Sequence, residues 1–228
     1  MFKFLKKIKF YLEGKILLSP TIKINKKWIG NRYGGFYVSL ENINKKSIIY
    51  SIGIGEDISF DNELIDLFDC TIYGFDPTPK SVEFVRKNKI KNNFKFSDVG
   101  ISNKTERLPF YLPKNNNYVS GSLKKIKTVS NDNQIELEFK RLKDVMDELS
   151  HNHVSLLKMD IEGAEYDVIE DIIKEKLNIK QIIVEFHPQL INNGKSKTKT
   201  AIISLLNAGY ELFGISDNYC EYSFIKTA

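Results

Sequence analysis

Apolar and polar positions follow two regular patterns along most of this chain. Runs rich in β-branched and aromatic residues predict five buried strands, at residues 47–54, 71–76, 94–98, 154–160 and 181–186. Apolar residues spaced by three or four predict helices near residues 57–68, 81–88, 141–149, 163–176 and 201–207. Two further strands are predicted near 210–215 and 222–225. This order predicts an α/β fold with a mostly parallel, doubly wound sheet that ends in an antiparallel strand pair.

Three segments depart from these patterns. Residues 28–44 are rich in glycine and aromatic residues, and they predict irregular structure or short strands that could cover a ligand cleft. Residues 102–140 predict two short strands, at 108–113 and 135–139, joined by a polar stretch of the kind that often forms lids. Residues 192–200 are polar and predict a loop.

A glycine turn follows the first predicted strand and opens the first helix. Gly53 allows a sharp bend, and Gly55 allows a ligand to approach the backbone closely. The exposed N–H groups of the new helix would face that ligand. The third glycine of a dinucleotide fingerprint is replaced by Ile58, and the acids Glu56 and Asp57 disfavour a pyrophosphate. The turn therefore predicts a site for a nucleoside without phosphates.

Acidic residues end the next two strands. Asp76 follows the first glycine at about the spacing of 20 residues at which such folds place a ribose-binding carboxylate. The alternative is a surface-loop acid before the turn-forming Pro77. Asp98 ends the third strand, where an acid often contacts an adenine amino group, or it is a turn residue before Gly100.

A second group of ionisable residues ends the fourth and fifth strands. Asp160, Glu162, Glu185 and His187 would converge at the carboxyl edge of the sheet, where open α/β sheets bind ligands. Four such groups are costly together unless they perform chemistry, bind a cation or pair with one another. We assign Glu165 to helix stabilisation, because an acid in a helix's first turn interacts favourably with the helix dipole.

Composition indicates an ordinary folded chain with one unusual end. The 228 residues are 42% hydrophobic and 28% charged, which suits one α/β domain spanning residues 28–228. Cys70 and Cys220 lack metal-type spacing and indicate a reducing, cytoplasmic compartment. Residues 1–27 contain eight lysines and one glutamate, so the net charge of +5 belongs to this segment and the rest is slightly acidic. Nucleic acid is therefore not an expected partner.

The N-terminal residues 1–18 combine lysines with one apolar helical face. The lysines interrupt the apolar core that a signal peptide needs. A basic amphipathic helix of this kind can lie on the anionic inner face of a membrane. The alternative is a helix that packs on its own domain or on a partner subunit.

Several motifs together resemble the FkbM-type methyltransferases. They lie at residues 53–61, 74–79, 97–102, 120–122, 158–165 and 185–187, and the run Asp-Ile-Glu-Gly-Ala-Glu is the most specific of them. The resemblance implies the class I methyltransferase fold and S-adenosylmethionine as cofactor. It also implies an acceptor hydroxyl on a free or lipid-linked sugar, on a glycan or on another small molecule.

The resemblance also assigns site residues. Gly53, Gly55 and Asp76 would hold the cofactor, and Asp57, Pro77 and Asp98 are further candidates for cofactor contact. Asp160, Glu162 and His187 would line the reaction site. Many family members have an acid two residues before the first glycine, and here that position is Ser51. Asp57 would then receive the cofactor's ammonium group.

Two mechanisms and two other functions remain open from sequence. His187 could act as the general base, because its ordinary pKa of about 6.5 leaves it mostly neutral at pH 7, with Asp160 orienting it or acting as base itself. Alternatively, Asp160, Glu162 and Glu185 could hold a Mg²⁺-like divalent cation. The rival functions are a non-catalytic scaffold and an NAD-dependent oxidoreductase. The oligomeric state is left open.

Overall fold

The computed structural model describes residues 16–115, 121–123, 126 and 129–227. The predicted amphipathic segment 1–18 lies almost entirely outside the described residues. None of the helices in the described ranges combines the length and the apolar character needed to cross a bilayer.

The chain forms twelve strands and five α-helices within the described residues. The strands are β1 (Lys27–Ile29), β2 (Phe36–Val38), β3 (Ile48–Ile52), β4 (Thr71–Phe75), β5 (Phe94–Ser97), β6 (Gly100–Ser102), β7 (Glu106–Pro113), β8 (Val129–Arg141), β9 (Val154–Met159), β10 (Ile179–Glu185), β11 (Tyr210–Ile215) and β12 (Glu221–Lys226). The helices are α1 (Ser59–Phe68), α2 (Pro79–Lys87), α3 (Leu142–Glu148), α4 (Glu165–Lys174) and α5 (Gly194–Asn207).

A seven-stranded sheet with the order β11-β12-β10-β9-β3-β4-β5 organises the molecule. The strands β10, β9, β3, β4 and β5 run parallel to one another, and β12 is antiparallel to both β10 and β11. The strand order reverses between β3 and β9, which is where such sheets bind ligands. The predicted doubly wound α/β fold with a terminal antiparallel pair is confirmed.

Both faces of this sheet are covered, which explains the continuous apolar runs of its central strands. Side chains alternate along β3, so that Tyr50 and Ile52 belong to one apolar cluster and Ile49 to the other. Helices α3, α4 and α5 cover the first face. Helices α1 and α2, with the strand β2, cover the second.

A second, three-stranded sheet with the order β6-β8-β7 was predicted only in part. The two strands expected at 108–113 and 135–139 are longer and pair antiparallel, and β6 joins β8 in parallel. The first part of β8 escapes recognition because residues 130–134 are polar at every position. This sheet lies between β5 and α3 in the chain and forms one wall of the candidate site.

One local prediction is wrong, because the loop expected at 192–200 is mostly helix. Helix α5 begins at Gly194 and exposes Lys197 and Lys199 while Thr198 is buried. Elsewhere, Thr78 occupies the N-cap position of α2. His151 has its Nδ1 2.8 Å from the hydroxyl of Tyr50.

An arginine links the end of the second sheet to α4. The guanidinium of Arg141 donates two hydrogen bonds to Asp171, at 3.2 and 2.7 Å, and one to Glu175 at 2.6 Å. Asp171 is buried, so its carboxylate depends on this paired geometry. The contact fixes the helix whose first residue is Glu165.

We expect Arg141→Ala to lower the free energy of unfolding by about 1–3 kcal/mol, because it leaves the buried Asp171 without its charge partner. Denaturant unfolding measures the effect. Lys140→Ala is the matched control, because Lys140 pairs with the exposed Glu148 and its loss should cost less than about 1 kcal/mol. Equal effects of the two substitutions would contradict the structural role given to Arg141.

Candidate active site

A cleft opens at the carboxyl edge of the large sheet. The residues that follow β3, β4 and β9 form its floor, and the second sheet supplies Phe110 and Phe139 as an apolar wall. Gly34, from the segment between β1 and β2, also lines the cleft, in agreement with the predicted covering role of residues 28–44.

The two turn glycines serve different purposes. Gly53 has a φ of +80°, and a Cβ there would lie 1.7 Å from the carbonyl oxygen of Asp160, so a side chain is excluded by the neighbouring backbone. Gly55 has a φ of +57°, but a Cβ there would meet nothing within 4 Å. Gly55 therefore leaves open space at the cleft, where a ligand can approach the backbone.

Asp76 holds this turn in place. Its Oδ2 accepts the N–H groups of Ile54 and Gly55, both at 2.9 Å, and its Oδ1 accepts that of Thr78 at 2.9 Å. The residue is only 5% exposed, yet it and Pro77 line the cleft. Asp76, which is predicted to bind the ribose, links the ends of β3 and β4 through these bonds. Because it is buried, the surface-loop alternative does not apply.

Asp57 lines the cleft beside Gly34. Its carboxylate accepts hydrogen bonds from the side-chain amide of Asn31 at 2.6 Å and from the Ser59 N–H at 2.8 Å. Asp98 lies in the short connection between β5 and β6. Among the described residues, the cleft wall there is formed by Gly100 and Ile101 rather than by Asp98.

Ser51, two residues before the first glycine, is uncharged and fully buried. Lys158 lies on the neighbouring strand, lines the cleft and donates a hydrogen bond to the carbonyl of Gly53 at 2.8 Å. Its ammonium also lies 5.7 Å from the ring centroid of Phe36. Burial raises the pKa of the nearby Asp61, while the charge of Lys158 acts to lower it. Sequence reasoning overlooked Asp61.

Four ionisable side chains come together where β9 and β10 end. The Nε2 atom of His187 lies 3.6 Å from Asp160 Oδ1, 3.7 Å from Glu162 Oε2 and 3.7 Å from Glu185 Oε1. Asp160 and Glu162 also line the cleft, whereas the His187 side chain is 7% exposed. The group therefore extends from the cleft into the protein interior.

Glu165 positions His187 from the protein interior. The sequence predicted only a helix-stabilising role for it. Its Oε1 accepts the backbone N–H of His187 at 2.9 Å and lies 3.3 Å from the Nδ1 of that residue. Its Oε2 accepts the N–H of Gly163 at 2.8 Å. A signal for this role was available, since an acid among the apolar residues that begin α4, such as Tyr166 and Val168, requires buried partners.

The surroundings change the proton affinities of the group. Burial of His187 acts to lower its pKa, but the hydrogen bond to Glu165 and the charges of Glu165, Asp160 and Glu162 together raise that pKa well above its ordinary value. Burial, followed by the charge of Asp160, raises the pKa of Glu185 to about 8. These interactions favour the protonated imidazole, in contrast to the neutral form expected from its ordinary pKa.

The loop that carries Glu162 is conformationally strained. Glu162 has a φ of +50°, which costs a side-chain-bearing residue on the order of 1 kcal/mol or more. Its carbonyl accepts a hydrogen bond from the Ser122 hydroxyl at 3.0 Å, and Gly163 follows with a φ of +99°. The connection between β7 and β8 is thus attached directly to the site.

Comparison with solved structures found similar chains among methyltransferases and related proteins. It is similar to a methyltransferase FkbM from Methylobacillus flagellatus, with 12% identity and a TM-score of 0.49 over 80% of this chain and 44% of the other, so it spans less than half of that protein's length. It is similar to a precorrin-6y C5,15-methyltransferase from Geobacter metallireducens, with 12% identity and a TM-score of 0.45 over 82% of each chain. It is also similar to Aeropyrum pernix fibrillarin with natively bound S-adenosyl-L-methionine, with 11% identity and a TM-score of 0.46 over 92% of this chain and 86% of the other.

A comparison with curated proteins found no match. A family model described as the methyltransferase FkbM domain matches residues 62–212, which is well over half of the chain. The chain therefore belongs to the FkbM family of S-adenosylmethionine-dependent methyltransferases.

Proposed function

We propose that the protein methylates a hydroxyl group of a sugar, a glycan or a related small molecule. The observation that carries this proposal is the group of three carboxylates around one imidazole, which borders the cleft beside the glycine turn. A hydroxyl is a poor nucleophile until its proton begins to leave, so an O-methyltransferase benefits from carboxylates in this position. The slightly acidic character of residues 28–228 favours a neutral acceptor over an anionic one.

The cleft fits the family's cofactor. Gly55 leaves open space beside backbone N–H groups, and Phe75 and Ile101 provide apolar surface for an adenine ring. The buried hydroxyl of Thr78 lacks a hydrogen-bond partner among the described residues, which suits a site completed by a polar ligand. Gly53, Asp76 and neighbouring residues would hold the nucleoside, and Asp57 the ammonium group. When bound, S-adenosylmethionine supplies an electrophilic methyl group.

The chain's own residues would orient the acceptor and remove its proton. Glu162 is our candidate for the proton acceptor, because it lines the cleft and Ser122 and Gly163 fix its backbone. The imidazole of His187 lies behind Glu162 and Asp160 and stabilises their negative charge. Asp98, two residues before Gly100 of the cleft wall, remains the candidate for contact with the adenine amino group. Holding the acceptor in place would supply much of the remaining acceleration.

We expect the protein to bind S-adenosylmethionine and S-adenosylhomocysteine, and Asp76→Ala to weaken both by about tenfold or more, because three turn N–H groups lose a charged acceptor. Isothermal titration calorimetry measures both affinities. Asp69→Asn is the control, since Asp69 is an exposed acid outside the cleft lining whose φ of +51° asparagine also tolerates. Failure of the folded wild-type protein to bind either compound would instead favour the non-catalytic scaffold.

We expect Glu162→Gln to lower kcat by about 10²–10⁴-fold while leaving cofactor affinity unchanged, because only proton acceptance is lost. The assay is transfer of a radiolabelled methyl group to a panel of neutral sugars, both free and polyprenyl-linked. Glu148→Gln, on the exposed end of α3, is the control and should retain wild-type kcat. A wild-type kcat in Glu162→Gln would remove Glu162 from this role, and labelling of none of the panel by the wild-type protein would contradict the sugar assignment.

A lipid-linked acceptor would also explain the lysine-rich N-terminal segment. We expect the full chain to sediment with anionic vesicles, and replacement of Lys3, Lys6 and Lys7 by glutamate to reduce sedimentation, because each lysine near the surface contributes about 1 kcal/mol. The same replacement should not alter affinity for S-adenosylmethionine. Equal sedimentation of the two forms would exclude electrostatic membrane contact through this segment.

A further inference from the structure

The group around His187 has a geometry that an ion pair explains poorly. Its Nε2 lies 3.6–3.7 Å from three different carboxylate oxygens. A protonated Nε2 has a single hydrogen for these oxygens, and none of the three lies within hydrogen-bonding distance of it. Three carboxylates surrounding one nitrogen at nearly equal distances leave a space between them that a positive ion would fill.

We propose that His187, Asp160 and Glu185 bind a divalent transition-metal ion. One potential ligand atom from each residue lies within 4.8 Å of the other two. An ion about 2.1–2.3 Å from each ligand atom holds adjacent ligand atoms about 3–3.8 Å apart, so small movements of side chains would complete the site. This ligand set differs from the three carboxylates expected from sequence, because His187 takes the place of Glu162.

The buried carboxylate of Glu165 provides the independent support for this site. An ionised carboxylate only accepts hydrogen bonds, so the Nδ1–H of His187 donates to Glu165 and the Nε2 of the ring faces Asp160 and Glu185. Metal-binding histidines are oriented in the same way, with the second nitrogen donating to a carboxylate. The His187 side chain is 93% buried, since only 7% of its surface is exposed, so this orientation is fixed by packing.

The ligand types indicate which ions the site would prefer. One imidazole nitrogen with two carboxylates suits Mn²⁺ or Zn²⁺ better than Mg²⁺ or Ca²⁺, which prefer oxygen ligands. The side chains of Asp160 and Glu185 are 32% and 23% exposed, so the ion would keep positions open to water or to an acceptor. Asp160 also lines the cleft, which places the ion beside the candidate acceptor site.

The role of the ion, but not its binding, rests on the proposed function. A divalent ion that binds the acceptor hydroxyl lowers its pKa, and the hydroxyl proton then leaves at neutral pH. Glu162 is outside the ligand set and lines the cleft, so it would take that proton. The ion would activate the hydroxyl, and Glu162 would remove its proton.

The test is a titration of the EDTA-treated full-length protein with Mn²⁺, monitored by the electron paramagnetic resonance signal of free Mn²⁺. We expect one ion per chain, with affinity at least tenfold lower in Glu185→Gln and in Asp160→Asn. Bound Mn²⁺ should show electron spin echo modulation from one coordinated imidazole nitrogen. The control is His153→Gln, which removes an exposed imidazole outside the group and should bind Mn²⁺ like the wild type.

Several outcomes would overturn the proposal: no bound Mn²⁺, wild-type affinity in Glu185→Gln, or bound Mn²⁺ without a nitrogen signal. Because the measurement requires no turnover, it separates the two proposals. Methyl transfer without ion binding would reject the metal site and keep the proposed function. Ion binding without methyl transfer would keep the metal site and reject the proposed function. Circular dichroism of each variant establishes that loss of binding is not loss of folding.

Discussion

The buried carboxylate of Glu165 is the constraint on which the candidate site depends. A fully buried carboxylate costs several kcal/mol unless its oxygens are satisfied, and here they receive two backbone N–H groups and an imidazole. These donors come from Gly163, before α4, and from His187, after β10. One side chain thus joins two separate loops, and the same contacts help to hold the strained conformation of Glu162 between them.

Sequence patterns predicted the large sheet because its strands are buried on both faces and read as continuous apolar runs. They also predicted that Asp160 and His187 would approach each other, since parallel strands end at the same edge. They could not reveal the length of β8, because residues 130–134 are polar at every position, nor the first turns of α5. The partners of Asp76 and Glu165 were equally hidden, because hydrogen bonds to backbone groups of other loops leave no periodic trace in the sequence.

Ser51 lacks the negative charge that the family pattern predicts at its position, and neighbouring residues compensate for it. The family resemblance predicts an acid at this position, and Lys158 lies beside it on the neighbouring strand. In this chain a different acid, Asp61 on α1, is buried and interacts with Lys158 through its charge. The lysine meanwhile donates to the carbonyl of Gly53 and lies near the Phe36 ring. A buried ammonium is tolerable because these groups together replace the water it has lost.

The glycine turn and the ionisable group are parts of one mechanical unit. Asp160 donates its N–H to the carbonyl of Ile52 at 2.9 Å, and its own carbonyl occupies the space that a side chain on Gly53 would need. The absence of a side chain at Gly53 is therefore required by the approach of Asp160, whereas the absence of one at Gly55 leaves room in the cleft. The backbone of Asp160 makes this contact and its side chain lies beside His187. A change that displaces the turn therefore also displaces the carboxylate, and the two parts of the site move together.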